Sequence, residues 1–402
     1  MKLLFIVPYT PNLVRVRPYN LIRALAARGN SITVATLTAN LAEEADISRL
    51  ESLGVRVISA RLPRWRSMMN CLLAVPSRMP LQAVYCWQPE LMGKICQAMK
   101  EDRFDAVHVE HLRGARFGLP VLQVGSVPVV WDSVDSITHL FRQAASQARK
   151  LSSKALTAFE LSRTAHYEGW LAGQFSRVLV TSPIDRQAFL ELAPGCAERL
   201  VVLPNGVDLE YFHPDAPPNR EPAELVISGK MSYHANVAMV LHLVNDIMPH
   251  VWAERPEVKL TVVGKDPPRE LLSLSDHPGV RVTGSVPDLR PYLQHATVAV
   301  APITYGAGIQ NKVLEALACA TPVVASPQAV SALQIRSGEE ILVAEEPQAF
   351  ARHVLALLAD AAWQRQLGEA GRQFVERKHS WDAVAARLEQ IYQEVGQEKL
   401  AV

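Results

Sequence analysis

No apolar run in these 402 residues approaches the roughly 18 residues that a membrane-spanning helix needs, so no spanning helix is expected. The stretch Leu3-Leu4-Phe5-Ile6-Val7 is too short for the apolar region of a secretory signal and runs straight into Pro8; it reads as a first strand. Cysteine is scarce. Cys71, Cys86, Cys96, Cys196 and Cys319 are odd in number and lack metal-type spacing, which argues against a disulfide framework and for a reducing, cytoplasmic setting. There is no Asp-x-Asp pair in a suitable loop and no His/Cys cluster, so metal independence is expected. Nothing resembles a nucleic-acid-binding motif and the net charge is only +1, so nucleic acid is not an expected partner.

Acid is missing locally as well. Ser52 to Pro89 holds Arg56, Arg61, Arg64, Arg66 and Arg78 with no Asp or Glu, and Ser136 to Phe159 holds Arg142, Arg149, Lys150 and Lys154 with none. Residues 1–200 carry 24 Lys and Arg against 16 Asp and Glu, a net of +8, whereas residues 201–402 carry 17 against 24, a net of −7. Such patches suit anionic headgroups or a phosphate-bearing substrate, and a solvated basic face serves equally well as an account.

What is present is the composition of an ordinary globular protein, 49% hydrophobic and 20% charged, at a length that implies two domains. Short β-branched runs alternate with longer amphipathic stretches. Strands are expected at Leu3–Val7, Ser31–Leu37, Val55–Ser59, Ala106–Val109, Pro128–Trp131, Arg177–Thr181 and Leu200–Leu203. Pro214, Pro217, Pro218 and Pro222 then interrupt the pattern, a linker signal. The alternation resumes at Leu225–Ser228, Lys259–Val263, Val280–Thr283, Val298–Ala301, Pro322–Ala325 and Ile341–Val343, with helices at Ala235–Val251, Ile309–Cys319 and Ala349–Leu358. After residue 345 the chain is mostly helical, ending in Trp381–Val395 behind a capping Ser380. This predicts an α/β protein of two Rossmann-like, doubly wound parallel-sheet domains facing across a cleft. The expected boundaries are 1–208, a linker at 209–223, 224–378, and a terminal helix, 379–402, packing back towards the first domain.

The strongest local signal runs from Ala301 to Ala318. A strand ends at Ala301, a Gly-rich turn follows, and a helix is expected near Ile309. Gly306 and Gly308 let backbone N–H groups approach an anion, and a helix N-terminus adds its dipole. Lys312 and Glu315 are three apart and share a helix face, Lys312 placed to meet a phosphate and Glu315 to accept from two vicinal ribose hydroxyls. A glycine loop beside a surface Lys–Glu pair is the plainer alternative.

This segment, with Thr321-Pro322-Val323-Val324-Ala325-Ser326 after it, resembles the nucleotide-sugar signature of the family-4 glycosyltransferases, which are GT-B in fold and retaining. Pro204-Asn205-Gly206-Val207-Asp208, Phe212-His213-Pro214, Leu260 to Gly264, Val280 to Val286 and Ser380-Trp381 extend the resemblance over nearly the whole chain. The wording GIQNKVLEA is similar to that of exosortase- and exopolysaccharide-associated sugar transferases. The resemblance implies a nucleotide-sugar donor, with UDP favoured over GDP or ADP, and a sugar, polysaccharide or lipid-linked acceptor. No cofactor beyond the donor is implied. The implied setting is cytoplasmic, peripheral at the inner face of the plasma membrane, where an anionic surface is a further partner. A sugar-nucleotide epimerase or phosphorylase on the same fold, or a non-catalytic nucleotide-binding subunit, remains the alternative.

Carried over residue by residue, the family's second signature glutamate is Glu315, while the first falls on Ala307. Backbone amides of Gly306, Ala307, Gly308 and Ile309 are the substitutes this implies. Gly229-Lys230 keeps the first of two diphosphate-binding cations. The second falls near Ala235-Asn236 and is lost, leaving Lys312 to supply that charge. The base would sit against Thr283, Gly284 and Ser285. In the first half, alternation puts His108 and Glu110 on one face of a strand. Relatives carry a histidine beside the transferring sugar at this strand's end, which maps to Glu110 or His111. The resemblance implies acceptor or phosphate contacts from Arg15 and Arg17 in place of missing loop glycines; Asp132 lies at a further strand end and suits acceptor contact or turn capping alike.

Overall fold

The alternating pattern produces two separate parallel sheets in the computed structural model, which describes residues 1–12, 15–40, 42–124, 127–147, 151–215, 220, 222–305 and 310–400. Contacts divide the chain into one unit of residues 1–205 with 384–402, and a second of residues 206–383.

The first unit holds strands β1 (Lys2–Val7), β2 (Ser31–Thr38), β3 (Arg56–Arg61), β4 (Ala106–Glu110), β5 (Val129–Val134), β6 (Arg177–Val180) and β7 (Leu200–Val202). Their order across the sheet is β3-β2-β1-β4-β5-β6-β7. Leu4, Ile6, Val107, Val109, Val129 and Trp131 are fully buried, as strands covered on both faces must be. Helix Val16–Ala27 enters on Pro18 in its first turn and leaves into Gly29 at φ +84°, a left-handed conformation that suits glycine. The helix Trp381–Leu400 is capped by Ser380, whose hydroxyl accepts from the Ala383 amide at 3.1 Å. Its Val384, Leu388, Ile391, Tyr392 and Val395 recur at helical spacing, all buried, and lie within the first unit.

The second unit holds β8 (Glu224–Ser228), β9 (Lys259–Val263), β10 (Val280–Val282), β11 (Val298–Ala301), β12 (Val323–Ala325) and β13 (Leu342–Val343), ordered β10-β9-β8-β11-β12-β13. The expected single helix Ala235–Val251 is instead His234–His242, a wider turn over Leu243–Ile247, and Met248–Glu254. Pro249 explains the break: it has no amide hydrogen to give the preceding turn, and the wider turn absorbs the missing bond. Among the described residues no helix is long and apolar enough to cross a membrane.

In each sheet the strand order reverses direction at one place, between β1 and β4 and between β8 and β11. Loops leaving the carboxyl ends of such strands diverge to opposite faces of the sheet and open a crevice there, where open α/β sheets bind ligands.

Candidate functional site

In the second unit the loop after β8 begins Gly229-Lys230, and the helix after β11 is Asn311–Ala318. That helix starts two residues later than its sequence suggested. Gly306, Ala307, Gly308 and Ile309 lie outside the described residues. Gly229 has φ +154°, and a Cβ there would meet Asn236 Nδ2 at 2.8 Å and Lys312 Cε at 3.4 Å. Only glycine leaves that space. Asn236 Nδ2 donates to the Lys230 carbonyl at 2.9 Å, while Lys312 Nζ donates to Asn236 Oδ1 at 3.0 Å and to Gln310 Oε1 at 3.2 Å. Asn236 occupies the position where a second cation was expected, and it draws the Lys312 ammonium to that place. Lys230 itself is exposed.

Lys312 and Glu315 share the helix face as expected. Burial pushes the Glu315 carboxyl up to about 7 against the pull of Lys312, and burial holds the Lys312 ammonium down to about 8 against the pull of Glu315. At the ends of β9 and β10, the Thr283 hydroxyl donates to the Gly284 carbonyl at 2.9 Å, Gly284 turns at φ +70°, and its carbonyl accepts from the Gly264 amide at 3.2 Å. Ser285 is exposed next to them. The ends of β8, β9 and β10 thus present backbone groups rather than a side-chain code. Sequence reasoning missed His234 and Tyr305, whose rings stack at 5.5 Å with His234 Nδ1 and the Tyr305 hydroxyl 3.0 Å apart. His234 opens the helix after the loop that carries Lys230, Tyr305 follows β11, and only tertiary structure pairs them.

In the first unit His111 follows β4 directly and has φ +63°, a strained backbone for a residue with a Cβ. Its Nδ1 accepts from the Arg113 amide at 3.3 Å, and its carbonyl accepts from Trp131 Nε1 at 3.3 Å. Burial, with a smaller push from Arg113, lowers the imidazole to about 4, so it is neutral at physiological pH. Glu110 points the other way. It is buried on the same face as His108, as alternation required, with Oε2 3.5 Å from His108 Nε2. Burial raises its carboxyl.

His108, Glu110 and Asp132 form a buried cluster whose possible ligand atoms lie within 4.8 Å of one another, a grouping the sequence did not reveal. The Tyr392 hydroxyl lies 2.8 Å from His108 Nδ1. With that hydroxyl donating, the ring proton sits on Nε2 and faces both carboxylates, Asp132 Oδ2 being 3.7 Å away. Arg17 already supplies the counter-charge, its guanidinium 2.8 Å from Asp132 Oδ2. A metal ion there would be repelled by that guanidinium, so the donor set fits a proton network better than a cation. Arg17 also donates to the carbonyls of Leu203 and Pro204 and to Asn205 Oδ1. Of the two readings open for Asp132, turn capping is seen: its Oδ1 accepts from the Val134 amide at 3.1 Å, and Arg17 and Asp132 are both buried and bonded to each other and to the backbone. Arg15 is half-exposed, donates to the Thr10 carbonyl at 3.1 Å, and lies 4.7 Å from the centre of the Tyr9 ring.

Comparison with known proteins identifies the family and the fold. Residues 14–206 match the family described as glycosyl transferase 4-like domain, and residues 222–360 match glycosyl transferases group 1. Phosphatidyl-myo-inositol mannosyltransferase of Mycobacterium tuberculosis is 24% identical over 324 residues, covering 76% of this chain and 78% of that protein. Alpha-maltose-1-phosphate synthase of the same organism is 31% identical over 257 residues, covering 54% of this chain and 63% of that protein. Among solved structures, sucrose-phosphate synthase from Thermosynechococcus elongatus has a TM-score of 0.64 at 20% identity, with 98% of this chain and 99% of that one covered. Anabaena HepE in complex with UDP and glucose has a TM-score of 0.66 at 14% identity, covering 98% and 100%.

Proposed function

From the premise that the chain belongs to the glycosyltransferases of GT-B type, we propose that it moves a hexose or hexose derivative from a UDP-sugar to an acceptor hydroxyl, with retention of anomeric configuration. The observation that carries the donor half of this reading is the Lys312–Asn236–Lys230 arrangement at the carboxyl ends of β8 and β11, with Glu315 one helical turn further on. In the transfer the bond from the anomeric carbon to the diphosphate oxygen breaks and a bond to the acceptor oxygen forms. The acceptor's proton ends on the released nucleotide. Negative charge grows on the leaving diphosphate, and the Lys312 ammonium, fixed beforehand by Asn236 and Gln310, stabilises it at little reorganisation cost, with the exposed Lys230 adding its charge. Glu315 holds the ribose hydroxyls, and the backbone at Thr283, Gly284 and Ser285 takes the base. His111 is the positioning group for the sugar: a neutral imidazole hydrogen-bonds hydroxyls without opposing the positive charge that develops on the ring.

The family resemblance supports retention, and the UDP complex of a structural neighbour supports the choice of base. The wording of the signature supports a place in bacterial polysaccharide or glycolipid assembly, with a lipid-linked or saccharide acceptor at the inner face of the plasma membrane. A donor panel tests the reading. Nucleotide release should depend on an added saccharide or polyprenyl-linked acceptor and be greatest with a UDP-sugar, and proton NMR of the product should show the donor's anomeric configuration. Consumption of donor without acceptor, yielding an isomeric sugar nucleotide, would overturn it in favour of epimerisation. Nucleotide binding without turnover would mark a non-catalytic subunit.

A further inference from the structure

Helix Arg64–Ala74 in the first unit is amphipathic in the wrong sense for a helix on a globular surface. Its small side chains Ser67 and Ala74 are the buried ones, while Trp65 is 61%, Met68 72%, Leu72 66% and Leu73 70% exposed. Met69 and, just beyond the helix, Val75 are exposed too. Positions 65, 68, 69, 72 and 73 follow the i, i+3, i+4, i+7, i+8 spacing, so these side chains make one stripe about 140° wide at 100° per residue. Arg64 and Arg66 fall on the two borders of that stripe, roughly 100° to either side of Trp65. Scattered single apolar residues on a surface need no account, but a contiguous stripe does.

The inner side of the helix is firmly tied down. Asn70 Nδ2 donates to the Trp87 carbonyl at 2.8 Å, and the Arg163 guanidinium donates to the carbonyls of Val75 at 2.6 Å and Met79 at 3.3 Å. The apolar stripe is therefore held outwards by the fold.

We propose that this helix is a membrane-docking element that lies in the plane of an anionic bilayer, its Trp65–Met68–Leu72–Leu73 stripe in the acyl boundary and its arginines on the headgroups. An interfacial helix has this build, with an apolar face that carries an aromatic ring and basic residues at its borders. Charge selects lipid over a protein partner. Arg61 before the helix, Arg64 at its start and Arg78 after its end are all exposed, and the chain has no acidic residue from Ser52 to Pro89. The inference deepens the proposed membrane setting of the glycosyl transfer but does not depend on donor chemistry.

The test uses the full chain and vesicles of phosphatidylcholine alone or with phosphatidylglycerol. Wild-type protein should sediment with the anionic vesicles, and part of that binding should persist in high salt because apolar contact is not screened. The double substitution Leu72→Ser with Leu73→Ser should reduce partition at least tenfold, and Arg64→Gln with Arg78→Gln should remove the preference for anionic lipid. Brominated acyl chains should quench a part of the tryptophan fluorescence that Trp65→Phe abolishes. Scanning calorimetry of the same samples reports whether the first unit of each variant is folded, and UDP binding by the second unit is measured alongside it. The UDP measurement separates failure of this inference from failure of the donor reading. Undiminished vesicle binding by the serine variant would overturn the proposal. So would absence of binding by the wild type, or a lipid-free dimer that the serine variant dissociates.

Discussion

At the scale of single residues, the Lys312–Glu315 pair makes the sharpest statement. Above about 8 the free protein loses the Lys312 ammonium, and below about 7 Glu315 takes up a proton and ceases to accept from two hydroxyls. Affinity for UDP should therefore peak between those values and fall on both sides, as calorimetry across pH would record. Glu315→Gln should remove the limb near 7. The remaining acid limb belongs to the nucleotide's own phosphate, which titrates near 6. Glu315→Ala should weaken UDP binding by about 1–3 kcal/mol, the cost of stranding hydrogen-bonding partners in a partly buried site. Unchanged affinity would remove Glu315 from the site. His111 makes a kinetic prediction. Because its contacts serve the transition state, His111→Ala should lower kcat far more than it raises the donor KM. Normal turnover in His111→Ala with none in Glu110→Gln would transfer the role to Glu110, against the geometry that buries Glu110 with His108.

At the scale of elements, the buried Arg17–Asp132 pair ties the start of helix Val16–Ala27 to the end of β5, and through Leu203 and Pro204 to the segment after β7. Arg17→Met leaves the Asp132 charge without its partner and should cost about 3–5 kcal/mol in urea unfolding. Adding Asp132→Asn should restore part of that loss. A single-variant cost below about 1 kcal/mol would show that the pair carries little of the joint. In the second unit, a Cβ on Gly264 would collide with the carbonyl of Gly229. Gly264→Ala should therefore push apart the ends of β8 and β9 and weaken UDP binding more than it lowers the melting temperature.

At the scale of the whole molecule, residues 384–402 belong to the first unit although the chain reaches them only after completing the second. Each of Val384, Leu388, Ile391 and Val395 removes roughly 1.5–3 kcal/mol of apolar surface from water. The sum of such terms rivals the usual stability of a domain. Ending the chain at residue 383 should leave the first unit unfolded, while the 206–383 unit keeps its UDP affinity. Scanning calorimetry with and without UDP would check both halves of that expectation. A first unit melting normally without the helix would refute it.

Period and punctuation alone determined the parallel sheets, because a strand buried on both faces must be a run of apolar residues and each helix must carry its stripe and caps. Val298–Ala301 and Lys259–Val263 have the very ends their sequence suggested. The Lys312–Glu315 face was equally legible, since a spacing of three on a helix has one geometric meaning. Contacts between residues distant in sequence were not legible. Arg17 and Asp132 are 115 positions apart and His108 and Tyr392 are 284 apart, and no local pattern encodes such pairings. Only the tertiary structure turned Arg17 from a ligand candidate into a buried tie and brought Lys312 to Asn236. The same limit hid the exposure of Trp65 and Leu72: a helix's apolar stripe announces that it will be buried in something, and the fold alone decides whether that something is the protein's own core.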